Sequence, residues 1–177
     1  MKPQIILSPL GQIDNGVLEA LKKSVEQAFG SRLSIKPQTE KLNYALNQKR
    51  KQYLAPMLLS HLRNLKVERD DRCLGIVDVD LYSPGLNFIF GAADINSGVA
   101  VMSLYRLRQE RYGLPHNDEI LRARAVKEAI HELGHTYYLS HCTGIRCIMH
   151  FSNSLRDTDI KMTSFCPKCQ QRLKEMG

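Results

Sequence analysis

Two histidines and a glutamate in one short segment are the side chains best suited to chemistry in this sequence. His131 and His135 are four residues apart. On a helix, that spacing puts both imidazoles on one face, one turn from each other, where they can bind the same cation. Glu132 lies about 100° further round the helix, beside such a metal rather than facing it. Its carboxylate could therefore take a proton from a water on the metal.

A third histidine follows at a distance that completes a metal site. His141 comes six residues after His135 and offers another neutral nitrogen. Three protein ligands leave one tetrahedral position for water, which is typical of a catalytic zinc rather than a structural one. Zinc lowers the pKa of that water from about 15.7 to about 7, so hydroxide becomes available near neutral pH. The pattern predicts a catalytic zinc bound by His131, His135 and His141, with Glu132 as the general base.

Four of the five cysteines come directly after these histidines. Their spacing is C-x4-C followed by C-x2-C, which can hold a second zinc in a closed, structural site. The sequence starts with no apparent export signal, so we expect a cytoplasmic protein in which thiols bind metal instead of forming disulfides. Cys73 lies in an apolar run and is expected to be buried. The predicted ligands of the structural zinc are Cys142, Cys147, Cys166 and Cys169.

Together these residues resemble a known family. The three histidines with Glu132, followed by Met149, are similar to the metzincin metalloproteases. A cysteine straight after the third histidine, a C-x-M step and a closing C-x-x-C are similar to one branch of them, the archaemetzincins. The resemblance implies a zinc-dependent peptidase that holds one catalytic and one structural zinc. It also implies that Met149 forms the Met-turn, the methionine turn under the catalytic metal of these enzymes.

The sequence departs from the metzincin pattern at two positions. The pattern has glycine three residues after the second histidine, where a positive φ ends the helix abruptly and directs the third histidine back. This chain has Tyr138 there, and a tyrosine in that conformation costs roughly 1 kcal/mol or more. Either Tyr138 adopts the conformation or the turn is built differently. At Phe151, some metzincins have a tyrosine that approaches the metal, whereas phenylalanine cannot act as a ligand.

Composition limits the class of protein and its partners. The chain has 177 residues, 43% of them hydrophobic and 24% charged, as expected for a globular protein with a real core. No apolar run is long enough to span a bilayer, so we expect no membrane partner. The net charge of +7 would suit nucleic acid, but no aromatic side chains are interleaved with the basic ones. We expect a monomer that acts on a peptide or protein substrate.

The order of predicted strands and helices indicates an α/β fold with a mostly parallel sheet and helices packed on it. The resemblance to metzincins implies that this twisted sheet is mixed, with an antiparallel edge strand. We expect a loop or a partly helical connector over 37–52. The expected strands are 4–7, 32–35, 73–79, 87–90 and 99–104, and the expected helices are 14–29, 54–65, 117–138 and 166–174.

The motifs divide the chain into two predicted subdomains. Residues 1–141 would form the subdomain with the active-site helix, and residues 142–177 would form a small subdomain that the cysteine-bound zinc stabilises. The resemblance to metzincins implies an antiparallel edge strand above the cleft that pairs with extended substrate. Segment 85–91 is the preferred candidate for it, because its glycines leave room for another backbone.

Two other functions stay open on the sequence. The first is a non-catalytic zinc-binding protein with a protease-like fold, which Tyr138 favours and Glu132 opposes. The second is a zinc hydrolase that acts on an amide other than a peptide bond. The sequence favours the zinc metallopeptidase because a purely structural site does not need a carboxylate at position 132.

Overall fold

The structure is a computed structural model that describes residues 3–66 and 68–176. Within these residues, no helix is both long and apolar enough to cross a membrane. The α-helices are α1 (Asn15–Phe29), α2 (Ala55–Arg63), α3 (Asp118–Thr136), α4 (Leu155–Ile160) and α5 (Pro167–Met176). Short 3-10 helices lie at Leu42–Ala45, Tyr105–Leu107 and Gln109–Tyr112.

A five-stranded sheet forms the centre of the fold. Its strands are β1 (Gln4–Pro9), β2 (Arg32–Ile35), β5 (Arg72–Val77), β7 (Gly91–Asp94) and β8 (Val99–Ser103). Their order in the sheet is β2-β1-β5-β8-β7, and every neighbouring pair is parallel except β7 with β8, which is antiparallel. The predicted fold class, a mixed and mostly parallel sheet with packed helices, is therefore confirmed.

The sheet has helices on both faces, and each face has its own core. One core lies between the sheet, α1 and α3, and the other lies under α2. Strands β1, β5 and β8 are almost wholly buried, which explains why their sequences are mostly apolar instead of alternating between apolar and polar residues. Cys73 lies in β5 and is fully buried, as expected.

Helix α3 carries the histidine motif and is itself buried along most of its length. It begins where expected because the side chain of Asn117 accepts a hydrogen bond of 3.0 Å from the backbone N–H of Ile120. Asp118 and Glu119 in its first turn favour the positive end of the helix dipole. The buried side chains of Ala125, Ala129 and Leu133 pack into the core and fix the helix against the sheet.

Three parts of the sequence-based prediction were wrong or incomplete. The expected strand 87–90 forms only an isolated bridge at Ile89, and the edge strand is β7 (Gly91–Asp94), which directly follows it. Its sequence, Gly-Ala-Ala-Asp, has weak strand propensity, but its small side chains allow α3 to pack closely against it. Helix α4 was not predicted. The expected connector over 37–52 is partly helical, with the 3-10 helix Leu42–Ala45, but it also contains strand β3 (Leu46–Asn47) and leads into β4 (Gln52–Leu54). With β6 (Leu81–Tyr82), these strands form a small sheet in the order β3-β4-β6.

The C-terminal segment packs directly on the helix that carries the histidines. Ile148 and Phe165 belong to the same core as Leu133 of α3. A division of the chain between residues 141 and 142 stays a prediction.

Candidate metal centre and active site

The three predicted histidines converge on one point. Nε2 of His131 and Nε2 of His135 are 3.2 Å apart, and His141 brings a third ring nitrogen, all three lying within 4.8 Å of one another. A tetrahedral zinc with Zn–N bonds of about 2.05 Å holds its nitrogen ligands roughly 3.3 Å apart. The distance between His131 and His135 matches this value, and His141 lies close enough to offer the third nitrogen of a zinc site.

Backbone carbonyls orient two of the imidazoles. Nδ1 of His131 lies 2.9 Å from the carbonyl oxygen of Ile148, and Nδ1 of His135 lies 2.7 Å from that of Leu139. Each Nδ1–H donates to its carbonyl, which leaves Nε2 as a free lone pair for a metal. Burial lowers the pKa of all three histidines, His141 included, so the neutral imidazole that a metal requires is favoured.

Tyr138 adopts the conformation that the metzincin pattern reserves for glycine. Its φ is 62°, in the left-handed region, and its side chain points outward with 55% of the residue exposed. The backbone N–H of Leu139 returns to the carbonyl of Gly134 at 3.2 Å, which closes the helix and directs His141 back to the other histidines. Of the two alternatives for this turn, the chain uses the strained tyrosine.

We expect that Tyr138→Gly is at least as stable as the native protein, whereas Tyr138→Val is less stable. Glycine removes a left-handed strain of about 1–2 kcal/mol at the cost of some backbone entropy, whereas a β-branched residue increases the strain. Thermal unfolding of the zinc-loaded variants measures both effects. A Tyr138→Gly protein that melts well below Tyr138→Val would contradict the conclusion that strain dominates at this position.

Glu132 is a buried carboxylate beside the histidines. It is 5% exposed and lines a cavity of about 570 Å³ together with His131, His135 and His141. Burial raises the pKa of Glu132 well above its ordinary value, and the neighbouring carboxyl of Glu128 raises it further. A carboxyl with a raised pKa is better suited to accept and return a proton near neutral pH than one in bulk water.

The remaining walls of the cavity are largely apolar. Phe151 is half-exposed, and its ring centroid lies 4.9 Å from that of His141 in a tilted arrangement. The ring therefore covers the third histidine but brings no donor atom. The other apolar walls are Leu86, Phe88, Ile89, Phe90 and Ile95, with Ala92 and Ala93 of the edge strand.

Glu132 packs against the edge strand so closely that only glycine fits opposite it. A Cβ atom added to Gly91 would lie 2.6 Å from Cγ of Glu132 and 2.8 Å from its Oε1. We expect Gly91→Ala to displace the carboxylate and lower the rate of hydrolysis by about 100-fold, since a shift of about 1 Å in a reacting group can have that effect. Zinc content and the melting temperature should change little.

Gly144→Ala is the matched control for this substitution. A Cβ at Gly144 would meet nothing closer than Sγ of Cys142 at 3.7 Å. Steady-state kinetics on both variants distinguishes displacement of the Glu132 carboxylate from the general effect of adding a methyl group to a glycine. Full activity in Gly91→Ala would show that the contact with Glu132 does not fix the carboxylate.

The four predicted cysteines form a second cluster in which their sulfur atoms lie within 4.8 Å of one another. Sγ of Cys142 and Sγ of Cys166 are 3.8 Å apart, which equals the separation of roughly 3.8 Å expected for Zn–S bonds of about 2.3 Å. Backbone N–H groups point at the sulfurs, as from Gly144 to Cys142 at 3.4 Å and from Cys166 to Cys147 at 3.4 Å. The cluster fits a closed zinc site.

The thiols differ in how readily they ionise. The backbone N–H of Cys169 donates to Cys166 and lowers the pKa of the Cys166 thiol to about 7. Burial raises the pKa of Cys147 and of Cys169. Burial also raises the pKa of Cys73, which lies outside the cluster, to about 12. Cys166 is therefore the thiol best placed to offer a thiolate first.

Met149 is fully buried and lies against the histidine helix. A Cβ added to Gly134 would lie 2.5 Å from Sδ of Met149, so the methionine packs tightly on the turn that carries His135. The carbonyl of Met149 accepts a hydrogen bond of 2.9 Å from the N–H of Cys142. Met149 therefore links the two clusters.

Two charged residues that line the cavity, Glu128 and Lys161, were not predicted from the sequence. Glu128 lies one helical turn before Glu132 on α3, and the i, i+4 spacing of the two carboxylates was a signal that could have identified it. Lys161 follows α4, a helix that the sequence did not predict, and a lone lysine after an unpredicted helix gives no signal.

A mixed α/β sheet that supports a histidine helix beside an open cavity, with a buried carboxylate next to three converging histidines, is typical of metal-dependent hydrolases. The family model described as Peptidase family M54 matches residues 16–175, and the chain belongs to this family. It is 41% identical over 174 residues to an archaemetzincin of Methanocaldococcus jannaschii, which covers 98% of this chain and 94% of that protein.

Solved structures agree with this assignment. The crystal structure of archaemetzincin from Methanopyrus kandleri is 35% identical with a TM-score of 0.85 and covers 98% of this chain and 95% of that one. A zinc-dependent peptidase from Methanocorpusculum labreanum is 28% identical with a TM-score of 0.85, over 96% of this chain and 99% of that one. The resemblance to archaemetzincins and the predicted class of enzyme, a zinc metallopeptidase, are confirmed.

Proposed function

We propose that this protein hydrolyses peptide bonds with a zinc ion held by His131, His135 and His141 and with Glu132 as the general base. The observation that carries the proposal is the convergence of three imidazole nitrogens within 4.8 Å beside a buried carboxylate in one cavity. A zinc ion bound there would lower the pKa of a coordinated water to about 7 and polarise a carbonyl oxygen.

Glu132 performs the proton transfers in this proposal. Its carboxylate accepts a proton from the attacking water and then delivers it to the nitrogen of the leaving amine, so the side chain ends each cycle as it began. Opposing influences set its pKa. Burial and Glu128 raise the pKa, whereas the ammonium of Lys161 and a bound cation lower it.

The substrate lies along β7 as an additional strand in this proposal. Strand β7 ends the sheet order, and its far edge pairs with no other strand among residues 3–66 and 68–176. The strand also lines the cavity through Gly91, Ala92 and Ala93. An extended peptide on this edge would gain main-chain hydrogen bonds and place a carbonyl near the histidines. Strand β7 replaces segment 85–91 as the candidate for this role.

The cysteine cluster holds a second, structural zinc in this proposal, which gives two zinc ions per chain. Cys142, Cys147, Cys166 and Cys169 leave no open position for substrate, as in closed sites. Zinc there would fix the segment that carries Met149 and the carbonyl of Ile148, both of which contact α3.

A non-catalytic zinc-binding protein is the weaker alternative. Its support was Tyr138 in place of glycine, but the tyrosine adopts the glycine conformation with φ of 62°. Nothing in the geometry of the three histidines therefore favours this alternative.

Cleavage of a peptide mixture tests the proposal. Zinc-loaded protein is incubated with peptides of varied sequence, and new termini are identified by mass spectrometry. We expect cleavage that a chelator abolishes and added zinc restores. Protein with both sites loaded that leaves every peptide intact would favour the non-catalytic alternative.

A further inference from the structure

Lys161 is a buried amine that the proposed mechanism does not use. The residue is 1% exposed and is among the largest fully buried side chains. Its Nζ is shielded from solvent and has no hydrogen-bond partner within the described ranges 3–66 and 68–176. A buried charge is costly unless opposite charges lie close by. The charged groups around Lys161 therefore determine whether its ammonium is tolerated in the interior.

Contacts between α3 and α4 direct Lys161 inward. The guanidinium of Arg124 donates two hydrogen bonds of 2.7 Å to the carboxylate of Asp159. Nζ of Lys127 donates to the carbonyls of Thr158 and Asp159 at 3.0 and 2.9 Å. These bonds hold α4 against the histidine helix, and Lys161 is the first residue after α4.

Lys161 faces two buried carboxylates across the cavity wall. Glu128 and Glu132 are 3% and 5% exposed, lie one turn apart on α3 and line the same cavity as the lysine. Burial lowers the pKa of the lysine and raises the pKa of both carboxyls, and the attraction between the opposite charges acts against these shifts. No carboxylate oxygen among the described residues comes within 4.0 Å of Nζ, so the ammonium acts through space on both groups rather than pairing with one.

We propose that Glu128 and Lys161 are positioning residues for the general base, and that they form with Glu132 a buried carboxylate–lysine cluster. The inference rests on the role of Glu132 in the proposed function. Nζ is shielded from solvent, so it acts through Glu132 rather than on substrate. Glu128 lies one helical turn before Glu132 on the same buried face, and the ammonium offsets the negative charge of the two carboxylates.

A double-mutant cycle on stability tests the cluster without any assay of hydrolysis. Lys161→Met keeps the length of the stem and removes the charge. In the zinc-loaded native background we expect it to lower the melting temperature by about 10 °C, since it leaves two buried carboxylates without a compensating charge. In a Glu128→Gln/Glu132→Gln background, the same change should lower it by less than half as much. Lys23→Met, at an exposed position of α1, is the control and should shift neither background.

Either of two results from this double-mutant cycle would overturn the proposal. Equal shifts in the two backgrounds would show that Lys161 only packs, and would overturn the proposal. If Lys161→Met alone is insoluble, the triple variant with both glutamines should fold. A triple variant that is equally insoluble would also overturn the proposal.

Kinetics supplies the second readout. We expect Lys161→Met to lower kcat at least about 10-fold with little change in KM and with two zinc ions still bound, because the lysine touches neither substrate nor metal. Lys161→Arg should recover part of kcat. A raised KM with unchanged kcat would mean substrate binding and would overturn the positioning role. If no peptide is cleaved by native protein but the two melting shifts differ, the proposed function fails and the cluster stands.

Discussion

Glu132→Gln is expected to abolish peptide hydrolysis while both metal sites keep their zinc. Glutamine has nearly the same shape as glutamate, so the tight contact with Gly91 survives. The amide, however, cannot accept a proton from water or return it to the leaving amine. Loss of a general base typically costs about 10²–10⁴-fold in rate. The three histidines are unchanged, so affinity for zinc should be preserved.

Rates and metal content must be measured on the same purified sample. Glu119→Gln is the matched control, because Glu119 lies exposed in the first turn of the same helix. It should hydrolyse peptide at the native rate. Native activity in a Glu132→Gln sample free of native protein would remove Glu132 from the mechanism, and loss of zinc together with activity would assign it to metal binding.

The second large effect is expected at the cysteine cluster. Cys169→Ser should lose the structural zinc, because a serine hydroxyl is a poor ligand in a closed thiolate site. Structural zinc can contribute about 10–16 kcal/mol to the folding free energy of zinc-finger peptides. We therefore expect a fall of about 10 °C or more in melting temperature and rapid proteolysis within residues 142–177. The histidine site should weaken as well, since Ile148 orients His131.

Cys73→Ala is the control for this variant. Cys73 is a buried thiol of β5 far along the chain from the cluster, and its substitution should leave two zinc ions bound. Metal analysis and limited proteolysis of both variants give the comparison. Two zinc ions and a native digestion pattern in Cys169→Ser would mean that the thiols are not a metal site.

The sequence predicts those parts of the site that depend on local spacing. His131, Glu132 and His135 lie on one helix, so their relative positions follow from helix geometry once α3 forms. The cap at Asn117 and the apolar stripe made that helix predictable. The cysteine spacing likewise predicted a cluster whose sulfur atoms do lie together.

The features that the sequence did not predict depend on contacts between distant segments. Strand β7 has weak strand propensity and forms because β8 pairs with it and α3 packs on it. Lys161 lines the same cavity as Glu128 because Arg124 and Lys127 hold α4 against α3. Tyr138 shows the same limit at one residue, since propensity disfavours its positive φ and the surrounding turn imposes it.

Anomalous X-ray scattering on both sides of the zinc edge tests the central claim most directly. Crystals are grown from protein purified without added metal or chelator. We predict two peaks per chain, one about 2.0–2.1 Å from ring nitrogens of His131, His135 and His141, and one about 2.3 Å from the four sulfur atoms. A single peak at the cysteines, with the three histidines free of metal, would contradict the assignment of a catalytic zinc.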